Sequence, residues 1–303
     1  EKIGGWAKNT SNTFLSTCRA LHAWVNLELT KYLGMGTTWK YYVLQGDEFN
    51  DITPLRTTTS AGDVTFSATN GDATITVTDT SHGAVVNDFV TFSGAATLGG
   101  LITAEVLNQE YQIATVTSAN VYTIEAKDTD GDTVTANSSD SGNGGSSVVG
   151  AYQINVGLDV YVEGSGWGAG TWGAGTWGSV SAISASSQLR NWSHDNFGED
   201  LVMNPRGGGV FYWDQSGGAT TRAVAVSDLA GANLAPTIAL QVLVSDIDRH
   251  VICFGADPLN SSNQRTSASD PMFICWSDQE NVTEWEPLAT NTAGSFRLSA
   301  GSA

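Results

Sequence analysis

Positive charge is what this chain has least of: 13 Lys and Arg stand against 31 Asp and Glu, a formal net charge of −18 over 303 residues. A duplex-gripping patch and a polybasic membrane contact both need clustered Lys and Arg, so both classes are excluded. Proline is scarce at 6 and cysteine scarcer at 3. Cys18, Cys253 and Cys275 are too scattered for a disulfide framework and form no Cys-x-x-Cys. Cys253 and Cys275 lie inside apolar runs, Val251-Ile252-Cys253-Phe254 and Phe273-Ile274-Cys275-Trp276, and read as small buried hydrophobes. No apolar run approaches the roughly 20 residues that cross a bilayer, so no membrane insertion by this chain is expected. The opening Glu1-Lys2-Ile3-Gly4-Gly5-Trp6 has neither an initiator Met nor a signal-peptide apolar core, which points to processing or to a piece of something longer.

The charge is unevenly spread. Residues 1–56 carry 6 basic and 5 acidic side chains; 57–189 carry Lys127 alone against 13 acidic; 190–303 carry 6 against 13. The middle stretch is also rich in Thr, Ser, Gly, Ala and Val, a composition shift that marks a separate unit.

Helical periodicity is nearly absent, and period-two segments bounded by Gly, Asn and Asp recur. Three stretches each read as four short strands. The first runs through Leu21–Val25, Lys31–Gly36, Trp39–Val43 and Asp51–Leu55. The second runs through Leu189–Ser193, Asp200–Met203, Gly209–Asp214 and Arg222–Val226. The third runs through Ile238–Val244, His250–Phe254, Met272–Trp276 and Thr283–Leu288. Four-stranded repeats are the signature of propeller blades, and three blades are fewer than the 4–8 that usually close a ring. The reading is therefore all-β: propeller-like blades, incomplete in this chain, with a small inserted β-domain. It divides the chain into a first blade region (1–56), an acidic β insert (57–136), a Gly/Ser/Trp-rich linker and loop (137–188), and further blades (189–303).

The most unusual local feature is a pentapeptide repeat carrying Trp167, Trp172 and Trp177. Three indoles so placed suit either a stacking surface for sugars or an anchor in a neighbouring subunit. No charged or amide side chains interleave with them to orient a sugar, which favours the anchor. Asp128-Thr129-Asp130-Gly131-Asp132 alternates carboxylates as a calcium loop does, but lacks the downstream Glu and reads as a solvated acidic turn. Ser193, His194 and Asp195 are neighbours in sequence, and on a strand neighbours point to opposite faces, so they do not make a triad. Glu199-Asp200 and Glu284/Glu286 have the residue types of a glycosidase pair, yet such pairs are expected by chance in so acidic a chain. Pro205-Arg206-Gly207-Gly208-Gly209 lacks the Lys-Ser/Thr of a phosphate loop and reads as a tight turn between strands. No catalytic residue, cofactor or metal is expected.

Several motifs resemble the tail nozzle (tail tubular protein B-like) proteins of short-tailed bacteriophages. They are Tyr32-Leu33-Gly34-Met35-Gly36-Thr37 followed by Tyr41-Tyr42-Val43 and Asp51-Ile52-Thr53-Pro54; Arg190-Asn191-Trp192-Ser193-His194-Asp195-Asn196-Phe197-Gly198-Glu199-Asp200-Leu201 followed by Asn204-Pro205-Arg206-Gly207-Gly208; and Phe211-Tyr212-Trp213. Ile3-Gly4-Gly5-Trp6 with Cys18-Arg19-Ala20-Leu21 is similar to the family's lead-in, and the insert to a small β-domain found in marine phage versions. The matching motifs are structural, with Pro54, Pro205, Gly207 and Gly208 as turn residues. The resemblance implies a longer, non-enzymatic virion protein of the tail. It would form a homo-hexameric ring beside the tail adaptor and other tail proteins, and viral DNA would pass through it without sequence-specific binding. Strong acidity is compatible with a conduit that repels phosphates. The rival reading is a carbohydrate-binding β-domain, an adhesin or glycan reader, using Trp167, Trp172 and Trp177.

Overall fold

The computed structural model describes residues 10–159 and 189–299. Among them the all-β expectation holds: 21 strands lie in five antiparallel sheets, with one four-residue α-helix and two three-residue 3-10 helices. The chain divides into two compact units, Glu1–Pro54 with Gly157–Ala303, and Leu55–Val156.

The first sheet is an up-and-down meander of β1 (Cys18–Val25), β2 (Lys31–Thr37), β3 (Tyr41–Gln45) and β4 (Glu48–Asp51). Gln45 pairs with Glu48 across a two-residue turn whose first residue, Gly46, has φ +62°, a conformation glycine reaches without a Cβ clash. That turn starts the fourth strand at Glu48, ahead of the Asp51-to-Leu55 segment the sequence pattern favours. Ile52, Thr53 and Pro54 follow as buried chain beyond the strand. Ile52 N–H still donates to Tyr41 O at 3.0 Å, and Thr53 Oγ1 accepts from Tyr41 N–H at 2.9 Å.

The second unit contains β5 (Leu55–Thr58), β6 (Thr65–Ala68), β7 (Thr74–Thr78), β8 (Phe89–Ser93), α1 (Ala104–Leu107), β9 (Glu110–Gln112), β10 (Thr115–Ser118), β11 (Val121–Glu125), β12 (Asp140–Asn143) and β13 (Val149–Gln153). They form a five-stranded sheet, β10-β11-β7-β6-β12, and a four-stranded sheet, β5-β13-β8-β9. Alternation explains the core: Phe66, Ile75, Val77, Tyr122 and Ile124 from the first sheet and Val90, Phe92 and Tyr152 from the second are buried together. Phe66 and Phe92 meet edge-on at 4.9 Å.

Composition misleads at one end of this unit. Residues 137–147, which read as a linker, supply β12, and β13 beyond them lies between β5 and β8. Their glycines serve packing. A Cβ on Gly144, which sits at φ +121°, would lie 2.3 Å from the Phe66 ring. The unit therefore runs to Val156, not to residue 136.

The chain then builds two more meanders in the first unit. One is β14 (Trp192–Phe197), β15 (Asp200–Pro205), β16 (Phe211–Trp213) and β17 (Val224–Ala225); the other is β18 (Gln241–Val244), β19 (Val251–Phe254), β20 (Phe273–Trp276) and β21 (Gly294–Arg297). The segment Thr283-Glu284-Trp285-Glu286-Pro287-Leu288 is not the last strand of the third sheet. Trp285 is buried in the core there and its Nε1–H closes on Val282 O at 2.7 Å, while Gly294 pairs with Trp276 instead.

The two faces of β14 explain how these sheets stack. Trp192 and His194 meet Tyr41 of the first sheet, and Asn196 meets its His22. Ser193 and Asp195, pointing the other way, accept backbone N–H groups of Val242 and Val244 in the third sheet at 2.9 and 3.0 Å. The second sheet is thus covered on both faces. Between it and the third sheet lies a core that includes Val202, Val251, Cys253, Phe273, Cys275 and Trp285.

Candidate functional site

Trp167, Trp172 and Trp177 lie outside the described residues. Pro54 is the buried last residue before the second unit. Pro205, Arg206, Gly207 and Gly208 form the turn from β15 to β16, where Gly208 N–H donates to Pro205 O at 2.7 Å and Gly207 sits at φ +72°. Asn204, fully buried, ties this turn to the third sheet by donating to Gly208 O, Gly209 O and Ala239 O.

The densest polar and aromatic cluster is the seam between the first and second sheets. Trp24 stacks on Tyr32 at 5.3 Å, and both meet Trp213 edge-on. Gly36 admits the Trp192 indole: a Cβ there would lie 2.4 Å from its Cδ1. Trp192 Nε1–H donates to Thr37 O at 2.7 Å. Two imidazoles lie in this seam with ring centres 5.2 Å apart. His22 Nε2–H donates to Asn196 Oδ1, which can only accept, at 2.5 Å. His194 Nδ1 lies 2.6 Å from the Tyr41 hydroxyl, which burial keeps protonated. Burial first, and the neighbouring His22 second, lower the His194 pKa from 6.5 to about 4.

A second polar node closes the end of β4. Lys40 Nζ lies 2.7 Å from Asp51 Oδ2 with almost no exposure, and Arg222 reaches the same oxygen at 3.4 Å. Burial pushes the Asp51 carboxyl up, but Lys40, Arg222 and the Thr53 hydroxyl outweigh it and hold its pKa below the usual range.

An open groove of about 580 Å³ lies at the hairpin end of the seam, lined in part by Leu27, Glu199, Asp200, Asp214 and Arg249. Each of its carboxylates is engaged in holding a loop. Glu199 accepts Leu27 N–H at 2.7 Å, Asp200 accepts Gln215 N–H at 2.9 Å and the Tyr212 hydroxyl, and Asp214 accepts Ser216 N–H at 2.8 Å.

The other candidates resolve in the same way. Ser193 and Asp195 point to the third sheet and His194 to the first, so no triad assembles. Glu284 and Glu286 do meet, but on one amide: Asn233 Nδ2 donates to Glu284 Oε1 at 3.0 Å and Glu286 Oε2 at 3.1 Å. Asp128 Oδ1 accepts the N–H groups of Asp130 and Asp132 at 3.0 and 2.9 Å, stapling its own turn. Among the described residues no group of three or more His, Cys, Asp or Glu is placed to hold a metal ion.

The two outer sheets present faces that sequence reasoning passed over. In the third sheet the register puts Leu243, Ile252, Phe254, Ile274, Trp276 and Phe296 on the side away from the core. Most are half-buried, and Phe296 is 59% exposed. In the first sheet Leu21 and Val25 are 59% and 54% exposed on the side opposite His22 and Trp24. The signal was present in β19 and β20: both are unbroken apolar runs, the pattern of strands covered on both faces.

No family model matches the chain, and no curated protein matches it. Among solved structures one similarity is to the Phage phi92 endosialidase, with 12% identity and a TM-score of 0.24, over 91% of this chain and 37% of that one. The chain thus spans little more than a third of that protein's length, and so low a TM-score carries no statement about fold, substrate or activity.

Proposed function

We propose that this chain is a structural, non-enzymatic protein of a phage tail, part of the nozzle through which DNA leaves the virion. The observation that carries the reading is a stack of three four-stranded meanders ending in two half-covered apolar faces. A blade-like stack of this kind is completed by further sheets, and clustered exposed apolar side chains suit an interaction surface. Neighbouring copies supply those sheets, six around a central channel, with the adaptor and other tail proteins above and below. The motif resemblance to tail nozzle proteins supports the same assignment.

The charge fits a conduit. At −18, with exposed carboxylates at Asp63, Asp72, Glu105, Glu125, Asp130 and Asp132, the chain repels phosphates, and DNA slides past without being gripped. Glu199, Glu284 and Glu286 accept backbone and amide donors that hold their loops.

Native mass spectrometry and negative-stain imaging of the purified chain test the proposal. A ring of six is expected. Phe296→Glu and Ile274→Glu place a charge on the third sheet's outer face and should release monomers whose far-ultraviolet dichroism is unchanged. A parent chain that stays monomeric at tens of micromolar refutes the ring.

A further inference from the structure

Cys253 and Cys275 are direct register partners on β19 and β20, both free, buried and facing the core between the second and third sheets. Gly255 N–H donates to Phe273 O and Ser277 N–H to Val251 O, at 2.8 and 2.9 Å. Those bonds lie two residues to either side and make Cys253/Cys275 a hydrogen-bonded ladder pair. Such pairs have Cα atoms about 5.5 Å apart. That is inside the roughly 4.4–6.8 Å span of disulfides, although Cβ atoms of a hydrogen-bonded pair stand about 5 Å apart and must draw in to about 4 Å for the bond to close.

A cation stands beside the pair. Arg265 Nη1 lies 3.8 Å from Cys275 Sγ and donates to Asp257 O at 2.7 Å, while Nε donates to Leu234 O at 2.8 Å. Its Nη2 is buried with no hydrogen-bond partner among the described residues. A buried guanidinium donor left unused is costly, and charge appearing on the nearby sulfur would engage it. The carboxylate of Asp257 accepts from the Thr237 N–H and hydroxyl.

We propose that Cys253 and Cys275 are a redox-active pair, with Cys275 the attacking sulfur, Arg265 its counter-ion and Cys253 the resolving thiol, closing to a cross-strand disulfide with hydrogen peroxide as oxidant. The two thiols divide the work. The hydrogen bond from Cys253, with Arg265 behind it, holds the Cys275 thiol below its ordinary value, whereas burial pushes Cys253 up. Both thiols are buried, so peroxide reaches them when the sheet opens locally. The Cys275 thiolate attacks one peroxide oxygen; an S–O bond forms, the O–O bond breaks, and the departing hydroxide takes up the proton released by Cys275. The Cys253 sulfur then attacks the sulfenic sulfur; the S–S bond forms, the S–O bond breaks, and hydroxide leaves as water with the proton of Cys253. Two thiols and one peroxide give one disulfide and two waters.

The test uses the full chain carrying Cys18→Ser, so that only the pair remains. Reduced protein is exposed to peroxide under native conditions, quenched, unfolded and alkylated, and its mass and peptide map are read. The expected product loses two hydrogens and joins the two strand peptides. Arg265→Gln should slow closure about tenfold, and Arg265→Lys, which keeps the charge, should restore the rate to within a few-fold. Two alkylated thiols after treatment, sulfinic acid on one cysteine alone, or closure seen only in urea overturns the pair. Closure at the parent rate in Arg265→Gln overturns the role of the arginine.

Discussion

Lowering the pH from 7 to 4 should loosen the unit of three stacked sheets through one side chain, His194. Its ring is neutral in the seam, held by Tyr41 and desolvated between two sheets. In the unfolded chain it titrates near 6.5, in the folded chain at about 4. The folded state therefore resists the proton, and the unfolded state binds it first as the pH falls. The contribution is complete above about 6.5, drains away between about 6.5 and 4, and is constant below. At about 1.4 kcal/mol per pH unit, that gap is worth about 3 kcal/mol, a large part of a typical domain's stability. Asp51 does not confound the window, because its lowered carboxyl matters only below the ordinary Asp value near 3.9.

The assay is built into the composition. None of the ten Trp lies in the second unit, and Trp24, Trp39, Trp192, Trp213, Trp276 and Trp285 lie among the described residues of the first, so the change in Trp emission on unfolding follows the stacked sheets. Unfolding free energies from urea titrations followed by that emission across pH 7 to 4 should fall by about 3 kcal/mol more in the parent than in His194→Gln, whose amide is polar and does not titrate. His22→Gln removes the second imidazole and should make the loss smaller and end it at a higher pH, since His22 helps to depress His194. Equal losses in the parent and His194→Gln over this window would refute the reasoning.

Other substitutions probe separate links. Gly36→Ala drives a methyl into the Trp192 indole and should destabilise the stacked sheets by about 1–3 kcal/mol, read by the same emission. Asp51→Asn leaves the Lys40 ammonium buried opposite a neutral amide and should cost about 3 kcal/mol; Lys40→Met with Asp51→Leu should recover most of it, and no recovery would show that the charges are not the cause. Tyr152→Phe removes the hydroxyl that bonds Asp79 and Tyr122 at 2.6 and 2.8 Å, which should weaken the second unit by about 1–3 kcal/mol. Near-ultraviolet dichroism should record that loss while the Trp transition stays in place.

Local rules in the sequence determined most strands. Alternation and turn glycines located three of four strands in each meander, and met β14 of the second only at Trp192 and Ser193, because strand and turn preferences act over a few residues. Neighbours on a strand face opposite ways, so Ser193, His194 and Asp195 were legible as three independent side chains before any contact was known. The tertiary structure decided what depends on distant partners. Whether residues 137–147 were linker or strand turned on Phe66 needing a glycine beside its ring, a fact about residues more than seventy positions apart. Whether Thr283 to Leu288 closed the third sheet turned on the burial of Trp285. The seam of His22, Tyr41, Trp192 and His194 and the meeting of Cys253, Cys275 and Arg265 arise only once strands far apart in the chain lie side by side. Composition records which groups are present, and burial and register decide which of them face each other.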